Sequence, residues 1–355
     1  MSEYIEINVP AGMNLPNIRS YAAGLLPSTV EEDGCIINQF FCMADGDPES
    51  LCVVQTDASH FSLLPGPEFS PRLYRGQNRY FSKCLPAFLR PPLTKIKRLT
   101  DILKKYEFFK LLCSHPIVNY LAEWKIEDKS FKVDFEGLAA HYEFSTLKLD
   151  LTRSKDVAMF FALCEKEDPQ KDEYKPIDDS DREAVLYTVD LNKLFADAPE
   201  HFHVVGFQAL PRPDAQKAYC FNAVSQRNFN QYPFVRLERI RVDPKQAEHY
   251  FEMFEGGRKL FPNEPVDLIA KEIRNSIQID REILETAFEK KLFPQDWDNL
   301  KEIKQFLEGC GYEISDKKLE FSEESRAKII SNWNAQCPLN GNRVKWRLES
   351  GCIRS

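Results

Sequence analysis

The stretch HYEFSTLKLDLTRSKDVAMFFA, residues 141–162, decides the fold of this chain. Its leucines alternate with polar residues over 147–152, which is the period-two pattern of a half-buried strand. The apolar run 157–163 follows after a short polar break and predicts a buried helix, with Ser154 or Asp156 as its N-cap. A strand that turns directly into a helix brings hydroxyls and backbone N–H groups to one point, and such a point can hold an anion.

A second polar cluster lies earlier in the chain, at the end of a predicted strand over Arg72–Gln77. The strand stops at Gly76, and a glycine lets the backbone approach a ligand or a neighbouring element closely. Asn78, Arg79 and Tyr80 follow directly. Polar residues in a loop mounted on a rigid strand often bind ligands, so we expect this strand end to contribute to a binding site.

The rest of the chain alternates between helix and strand patterns. Apolar residues spaced three and four apart over 99–124 predict one or two helices, with a break at His115-Pro116 because the residue before proline disfavours helical geometry. The charged segment 165–183 predicts a solvated, mobile excursion, and Pro211-Arg212-Pro213-Asp214 predicts a turn. Alternating runs predict strands at 51–54, 184–189, 204–207 and 234–242.

Helical spacing returns beyond about residue 244, where four further helices are predicted. We expect a β-rich N-terminal segment, residues 1–69, that packs on the core, then a central domain over 70–243 and a helical region over 244–355. Several strands that follow a helical block favour an α+β fold with mostly antiparallel sheets and flanking helices. A mainly helical C-terminal region completes the predicted architecture.

Composition narrows the class of protein. With 355 residues, of which 43% are hydrophobic, the chain can bury a full core. A formal net charge of −8 argues against bulk binding of nucleic acid. No apolar run approaches the ~20 residues that span a bilayer, and the first residues do not resemble a signal peptide, so we expect a cytoplasmic protein without membrane association. The ten cysteines are scattered without a C-x-x-C pair, which predicts reduced thiols and no metal site.

Three residues of the two polar clusters are candidates for catalysis or ligand binding. Arg75 suits a phosphate, because its planar guanidinium matches phosphate oxygens; a structural salt bridge is the alternative. His141 can act as a general base or hydrogen-bond a ribose, and a core histidine is the alternative. Asp150 lies mid-strand between leucines that face the other way, so it is either catalytic or an orienting partner of Arg75 or His141.

Further candidates for ligand binding surround these three. Thr152 and Ser154 can bind a ligand hydroxyl or phosphate, although helix capping explains one of them. Tyr142 can stack on a base or fill the core. Gly76 and Gln77 complete the group at the end of the earlier strand.

Two segments of the chain together resemble the FRG domain, a family named for its (Phe/Tyr)-Arg-Gly motif. They are Tyr74-Arg75-Gly76-Gln77 and, about sixty residues later, Leu138–Tyr142 with Leu149–Ser154 and Ala158–Ala162. The chain departs from the family's pattern at Glu143, where the family often has glycine, at Lys148 in place of leucine and at Leu151 in place of tryptophan. The resemblance assigns residues 70–243 to this domain.

The layout of the FRG domain is similar to that of the ADP-ribosyltransferase superfamily. The resemblance implies an ADP-ribosyltransferase-like fold that takes NAD as its substrate. Arg75 would bind the phosphates and Thr152 or Ser154 the ribose, while His141 and Asp150 would lie near the reacting carbon. No metal is implied.

The activity implied by the resemblance is transfer of ADP-ribose from NAD to a protein or a nucleic acid. The expected partners are therefore a nucleotide and an acceptor macromolecule. Related enzymes have an acidic residue where this chain has Gln216, which is the third candidate catalytic residue beside His141 and Asp150. Two alternatives stay open: a non-enzymatic module that senses a nucleotide or binds a partner protein, and an NAD-cleaving hydrolase.

Overall fold

The structure is a computed structural model of the chain. It describes residues 30–32, 35–37, 51–65, 71–126, 128–168, 172–223, 227–293, 297–316, 319–336, 339 and 344–345. The strands are β1 (Val30–Glu32), β2 (Cys35–Ile37), β3 (Leu51–Gln55), β4 (His60–Pro65), β5 (Arg72–Gln77), β6 (Lys125–Ile126), β7 (Lys129–Phe131), β8 (Lys148–Thr152), β9 (Cys164–Lys166), β10 (Tyr174–Pro176), β11 (Glu183–Asp190), β12 (Phe202–Val204), β13 (Ala218–Asn222), β14 (Val235–Arg241), β15 (Gln278–Asp280), β16 (Glu313–Ser315) and β17 (Val344–Lys345). The α-helices are α1 (Lys95–Cys113), α2 (Pro116–Ala122), α3 (Phe135–His141), α4 (Lys155–Leu163), α5 (Leu191–Asp197), α6 (Pro211–Ala215), α7 (Pro244–Met253), α8 (Pro265–Asn275), α9 (Arg281–Glu289), α10 (Leu300–Gly309) and α11 (Glu323–Gln336).

A six-stranded antiparallel sheet forms the centre of the fold. Its strand order is β12-β13-β8-β5-β11-β14, and each neighbouring pair in it is antiparallel. β5 and β8 meet at Tyr74 and Thr152, so the two polar clusters of the sequence lie side by side. This sheet and its flanking helices confirm the prediction of an α+β fold with mostly antiparallel strands.

A second sheet joins distant parts of the chain. Its order is β17-β3-β4-β7-β6, and two of its pairs, β17 with β3 and β4 with β7, are parallel. One hydrophobic cluster combines Leu51 and Phe61 with Phe108, Tyr142 and Val266. The described parts of the three predicted regions therefore share a core, and their division into domains stays a prediction.

Local sequence signals set the ends of the first two helices. α1 ends at Cys113 and α2 begins at Pro116, which confirms the predicted break at His115-Pro116. The ring of His115 accepts hydrogen bonds from the N–H groups of Ile117 and Val118, so it caps α2. In the described part of the chain, no helix combines the length and the apolar character needed to cross a bilayer.

The strand-to-helix stretch forms as predicted. β8 ends at Thr152, and α4 starts three residues later at Lys155. The hydroxyl oxygen of Ser154 accepts a hydrogen bond from the N–H of Val157 at 3.3 Å, which confirms Ser154 as the N-cap. α4 is apolar on most of its surface because it packs between β5 and α7.

Three local predictions differ from the structure. The predicted strand 204–207 ends at Val204, because Gly206 has a φ of 64° and turns the chain. Pro211–Ala215 forms α6 and not a turn, since proline is favourable in the first helical turn. The excursion over 165–183 contains an antiparallel pair, β9 with β10, around residues that the structure does not describe.

Candidate functional site

A cavity of about 530 Å³ opens over the junction of β5 and β8. The C-terminal end of α3, the helix α4 and the β9–β10 pair form its walls. Most predicted site residues line it, namely Arg75, Gly76, Gln77, His141, Asp150, Thr152 and Gln216. The structure therefore brings together residues that lie far apart in the sequence, whereas Tyr142 and Ser154 are not part of the lining.

Three buried polar atoms of this cavity have no hydrogen-bond partner among the described residues. They are Nε of Arg75, Oε1 of Gln77 and Nε2 of His141. Leaving a buried polar group unpaired costs about 1–3 kcal/mol, so native structures rarely do so without a ligand or water to meet it. These atoms mark the part of the cavity that is suited to hold a polar ligand.

The hydrogen bonds around Gln216 fix the tautomer of His141. Nε2 of Gln216 donates to the carbonyl oxygen of Leu260 at 3.0 Å, and a carbonyl oxygen can only accept. The amide oxygen therefore faces His141, whose Nδ1 lies 3.0 Å from it and donates to it. Because Nδ1 carries the proton, Nε2 of the neutral ring keeps its lone pair. Only 6% of His141 is exposed.

Thr152 holds Gln216 in place. Its hydroxyl donates to the carbonyl oxygen of Gln216 at 2.7 Å and accepts from the N–H of Ser154 at 3.0 Å. The donor that we predicted for a ribose is thus used inside the protein, and Thr152 acts as a positioning residue. Ser154 lies outside the lining of the cavity, and its hydroxyl caps α4, which is the alternative role that the sequence indicated.

Arg75 reaches from β5 across β8. Its Nη1 donates to the carbonyl oxygen of Asp150 at 2.7 Å, which anchors the guanidinium group to the backbone of β8. In the described residues no carboxylate pairs with Arg75, so the alternative of a structural salt bridge is not found there. Its buried Nε remains free to donate to an anion in the cavity.

Asp150 and Cys220 face each other across the β8–β13 pair. Sγ of Cys220 lies 3.8 Å from Oδ1 of Asp150, and a ring nitrogen of His141 completes a group of three atoms within 4.8 Å of one another. Burial raises the pKa of the Cys220 thiol well above its usual value, and the charge of Asp150 raises it further. The protonated thiol is therefore a weak donor to the carboxylate.

Gly76 is required by helix packing. A Cβ atom at this position would lie 1.7 Å from the carbonyl oxygen of Ala158 and 2.7 Å from the backbone nitrogen of Ala162. Both distances are far inside van der Waals contact, so only glycine lets α4 rest directly on β5. This packing brings Ala158 and Phe161 into the wall of the cavity.

Tyr142 lies in the core, which was one of the two roles that the sequence left open for it. It is 0% exposed, and its ring stacks on Phe108 with the centroids 5.7 Å apart. The guanidinium of Arg212 lies 4.5 Å from the centroid of the same ring. Arg212 also donates to the carbonyl oxygen of His141 at 3.3 Å and pairs with Asp172 at 2.8 Å. Tyr142 therefore supports the segment that carries His141.

Glu143 has a backbone conformation that favours glycine. Its φ is 65°, in the left-handed region, and this is the position at which the FRG pattern often has glycine. The side chain lies at the rim of the cavity and pairs with Lys166 and, at 3.1 Å, with Arg274. These ion pairs stabilise Glu143 in its strained backbone conformation.

The unpaired charges of the cavity are mostly positive. Glu143 pairs with Lys166, and Glu165 pairs with Arg182 at 2.6 Å. The charged lining residues that make no ion pair within the described part of the chain are Arg75, Arg79 and Asp150. Two cations against one carboxylate favour an anionic ligand.

Sequence reasoning missed two residues of the site. Tyr174 lines the cavity, and its ring stacks on Phe261 with the centroids 5.3 Å apart; burial raises the pKa of its hydroxyl. The charged sequence around Tyr174 gave no sign of this packing. Cys220 shares a strand face with Ala218 and Asn222, and this period-two pattern was the one signal available for it.

Comparison with known proteins gives one match. Residues 70–171 match the family model of the FRG domain. This segment is therefore similar to an FRG domain, and the matched range includes Arg75, His141 and Asp150, while Gln216 and Cys220 lie beyond it. No curated protein and no solved structure matches the chain.

Proposed function

We propose that the FRG domain holds NAD in this cavity and transfers its ADP-ribose to an acceptor on a protein or a nucleic acid. The observation that supports this proposal best is the set of three buried, unpartnered polar atoms in a cavity that Asp150 also lines. Nε of Arg75 suits a phosphate oxygen. Oε1 of Gln77 and Nε2 of His141 are acceptors that suit ribose hydroxyls.

The charge and size of the cavity support the same ligand class. Arg75 and Arg79 make no ion pair in the described part of the chain, and a pyrophosphate would neutralise them. The volume of about 530 Å³ lies within the range of roughly 300–1,000 Å³ that is usual for small-molecule sites. Half-buried Tyr174 and Phe161 add aromatic surface to the wall.

The proposed reaction begins with cleavage of the bond between ribose C1′ and the nicotinamide nitrogen. The electron pair of this bond leaves with nicotinamide, so positive charge develops on the ribose, and the carboxylate of Asp150 stabilises it. The nucleophilic atom of the acceptor then bonds to C1′, and its proton passes to Nε2 of His141. Gln216 takes no proton in this scheme; it keeps the lone pair of His141 in the cavity.

The nature of the product separates this proposal from its two alternatives. With water as the acceptor, the same steps yield free ADP-ribose, and the protein would be a hydrolase. A module that only senses the nucleotide would bind NAD and release no nicotinamide. Transfer is the leading proposal because the FRG match covers Arg75, Thr152 and Ser154, on which part of the resemblance to ADP-ribosyltransferases rests.

Isothermal titration of NAD and of ADP-ribose tests the binding claim. The proteins are the wild type, Arg75→Ala and Arg236→Ala, whose arginine lies exposed on β14 outside the cavity and serves as the matched control. We expect Arg236→Ala to bind like the wild type and Arg75→Ala to bind roughly tenfold to hundredfold more weakly, because a charge-assisted hydrogen bond contributes about 1.5–3 kcal/mol. Unchanged affinity in Arg75→Ala, or no binding by the wild type, would contradict the proposal.

A further inference from the structure

We propose that His141, Asp150 and Cys220 form a site for a borderline-soft divalent metal ion such as Zn²⁺, with an open coordination position that faces the cavity. The proposal goes beyond the nucleotide reaction and does not require it. It also revises the prediction from the sequence that the chain has no metal site. The three residues come from separate elements, so the sequence shows no short spacing typical of metal ligands.

The distances between the three side chains suit one small cation. A ring nitrogen of His141, a carboxylate oxygen of Asp150 and Sγ of Cys220 all lie within 4.8 Å of one another. Sγ and Oδ1 of Asp150 are 3.8 Å apart. Around a tetrahedral Zn²⁺ with the usual bond lengths, an oxygen ligand and a sulfur ligand are separated by about 3.5 Å. A small side-chain shift therefore brings the donors to coordination distance.

His141 supplies an independent observation that points to a ligand. The residue is 6% exposed, and its Nε2 has no partner among the described residues. The other ring nitrogen, Nδ1, donates to Oε1 of Gln216 at 3.0 Å. Histidines that bind metals nearly always donate their second N–H to an oxygen in this way, which fixes the tautomer and directs the lone pair at the metal.

The types of donor select the metal. Mg²⁺ and Ca²⁺ prefer sites made of oxygen ligands, whereas a set of nitrogen, oxygen and sulfur suits Zn²⁺ and its neighbours in the transition series. Three protein ligands leave the fourth tetrahedral position vacant, as in catalytic zinc sites. His141 and Asp150 line the cavity and Cys220 does not, so the vacant position is on the cavity side.

Metal binding would release one proton and would occupy two groups of the proposed reaction. A metal–sulfur bond forms at Cys220, and the thiol proton is released to water; no oxidation is involved. The metal also takes the lone pair of His141 and the charge of Asp150. A chain loaded with Zn²⁺ therefore lacks both groups that the nucleotide reaction uses, and we expect Zn²⁺ to suppress nicotinamide release.

Titration with Co²⁺ under reducing conditions and without nucleotide tests the site, because a Co²⁺–thiolate bond gives a charge-transfer absorption band. We expect the wild type to develop this band, and Zn²⁺ to abolish it by displacing Co²⁺. The band should disappear in Cys220→Ser and persist in Cys84→Ser, which removes a buried cysteine outside the cluster. No band in the wild type, or an equal band in Cys220→Ser, would overturn the proposal.

A second variant keeps the test valid if Cys220→Ser fails to fold. Asp150→Asn preserves the size of the side chain and the cysteine, and it should weaken Co²⁺ binding at least tenfold with an unchanged circular dichroism spectrum. Gln216→Leu removes the partner of the His141 ring and should weaken binding tenfold to hundredfold. Wild-type affinity in both variants would count against the site, whatever the outcome of nucleotide titrations.

Discussion

Oε1 of Gln216 lies 3.0 Å from Nδ1 of His141, and the two residues are 75 positions apart in the chain. The amide cannot turn around without losing its bond to the carbonyl oxygen of Leu260. Gln216 thus acts on the site through His141, whose proton it holds on Nδ1 while Nε2 has no partner among the described residues. Gln216 therefore has a positioning role in this geometry.

The tautomer of His141 can be observed directly. Long-range ¹H–¹⁵N correlation spectra should show His141 with its proton on Nδ1 in the wild type, because only that nitrogen has an acceptor. In Gln216→Leu the ring is free to exchange its proton between the two nitrogens, so its signals should move toward averaged positions. His141→Gln identifies the signal. A wild-type ring with the proton on Nε2 would refute the assignment.

Gly76→Ala should destabilise the fold by about 3 kcal/mol or more, because its Cβ would meet the backbone of α4 and not a flexible side chain. Gly309→Ala is the matched control. A Cβ atom at Gly309, the last residue of α10, would have no other atom within 4 Å, so alanine should leave stability unchanged or raise it by about 0.5–1 kcal/mol. Urea unfolding measures both, and equal effects would contradict the packing role of Gly76.

At Glu143, replacement by glycine should cost less stability than replacement by alanine, which is the reverse of the usual order. Both Glu143→Ala and Glu143→Gly lose the ion pairs with Lys166 and Arg274, but only glycine relieves the strain at a φ of 65°. The glycine variant should therefore be more stable than the alanine variant by about 1 kcal/mol. Thermal unfolding of the two variants gives the comparison. A more stable alanine variant would show that the left-handed conformation is not kept.

Glu107 should make stability depend on pH. Burial raises the pKa of Glu107 to about 7, with the charges of Asp280 and Glu272 acting in the same direction and those of Lys110 and Lys104 opposing them. A carboxyl group with a raised pKa contributes stability that is present below about pH 4.5 and is lost as the pH rises through 7. The neutral form is therefore the one that the folded protein favours.

Glu107→Gln removes this titration. The variant should match the wild type near pH 4.5 and exceed its free energy of unfolding by about 2 kcal/mol at pH 8, after an allowance for partial solvent screening. Urea unfolding at several pH values provides the test, and taking the difference between the two proteins cancels the titration of other groups. A constant difference across this pH range would contradict the assignment.

Local signals were sufficient to predict the framework of the site. The alternation of leucines over 147–152 and the apolar run after Ser154 predicted β8, α4 and the cap between them, because strand period and capping depend on near neighbours. The chemistry of Arg75, His141 and Asp150 marked them as candidates, and all three line the cavity.

What the sequence could not predict depends on contacts between distant segments. Cys220 faces Asp150 only because of the register between β13 and β8, which no local pattern specifies. Tyr142 follows His141 directly, yet its ring enters the core against Phe108 because of the way α3 packs on α1. The direction of a side chain at a helix end is decided by such packing and not by residue type.

Release of nicotinamide from NAD shows whether Asp150 assists cleavage of NAD in this cavity. Chromatography would quantify nicotinamide for the wild type, for Asp150→Asn and for Asp197→Asn, a control whose carboxylate is exposed at the end of α5. A chelator in the buffer excludes inhibition by metal. We predict steady release by the wild type and the control, and a loss of at least a hundredfold in Asp150→Asn with NAD binding retained. No release by the wild type, or equal release by Asp150→Asn, would contradict the account.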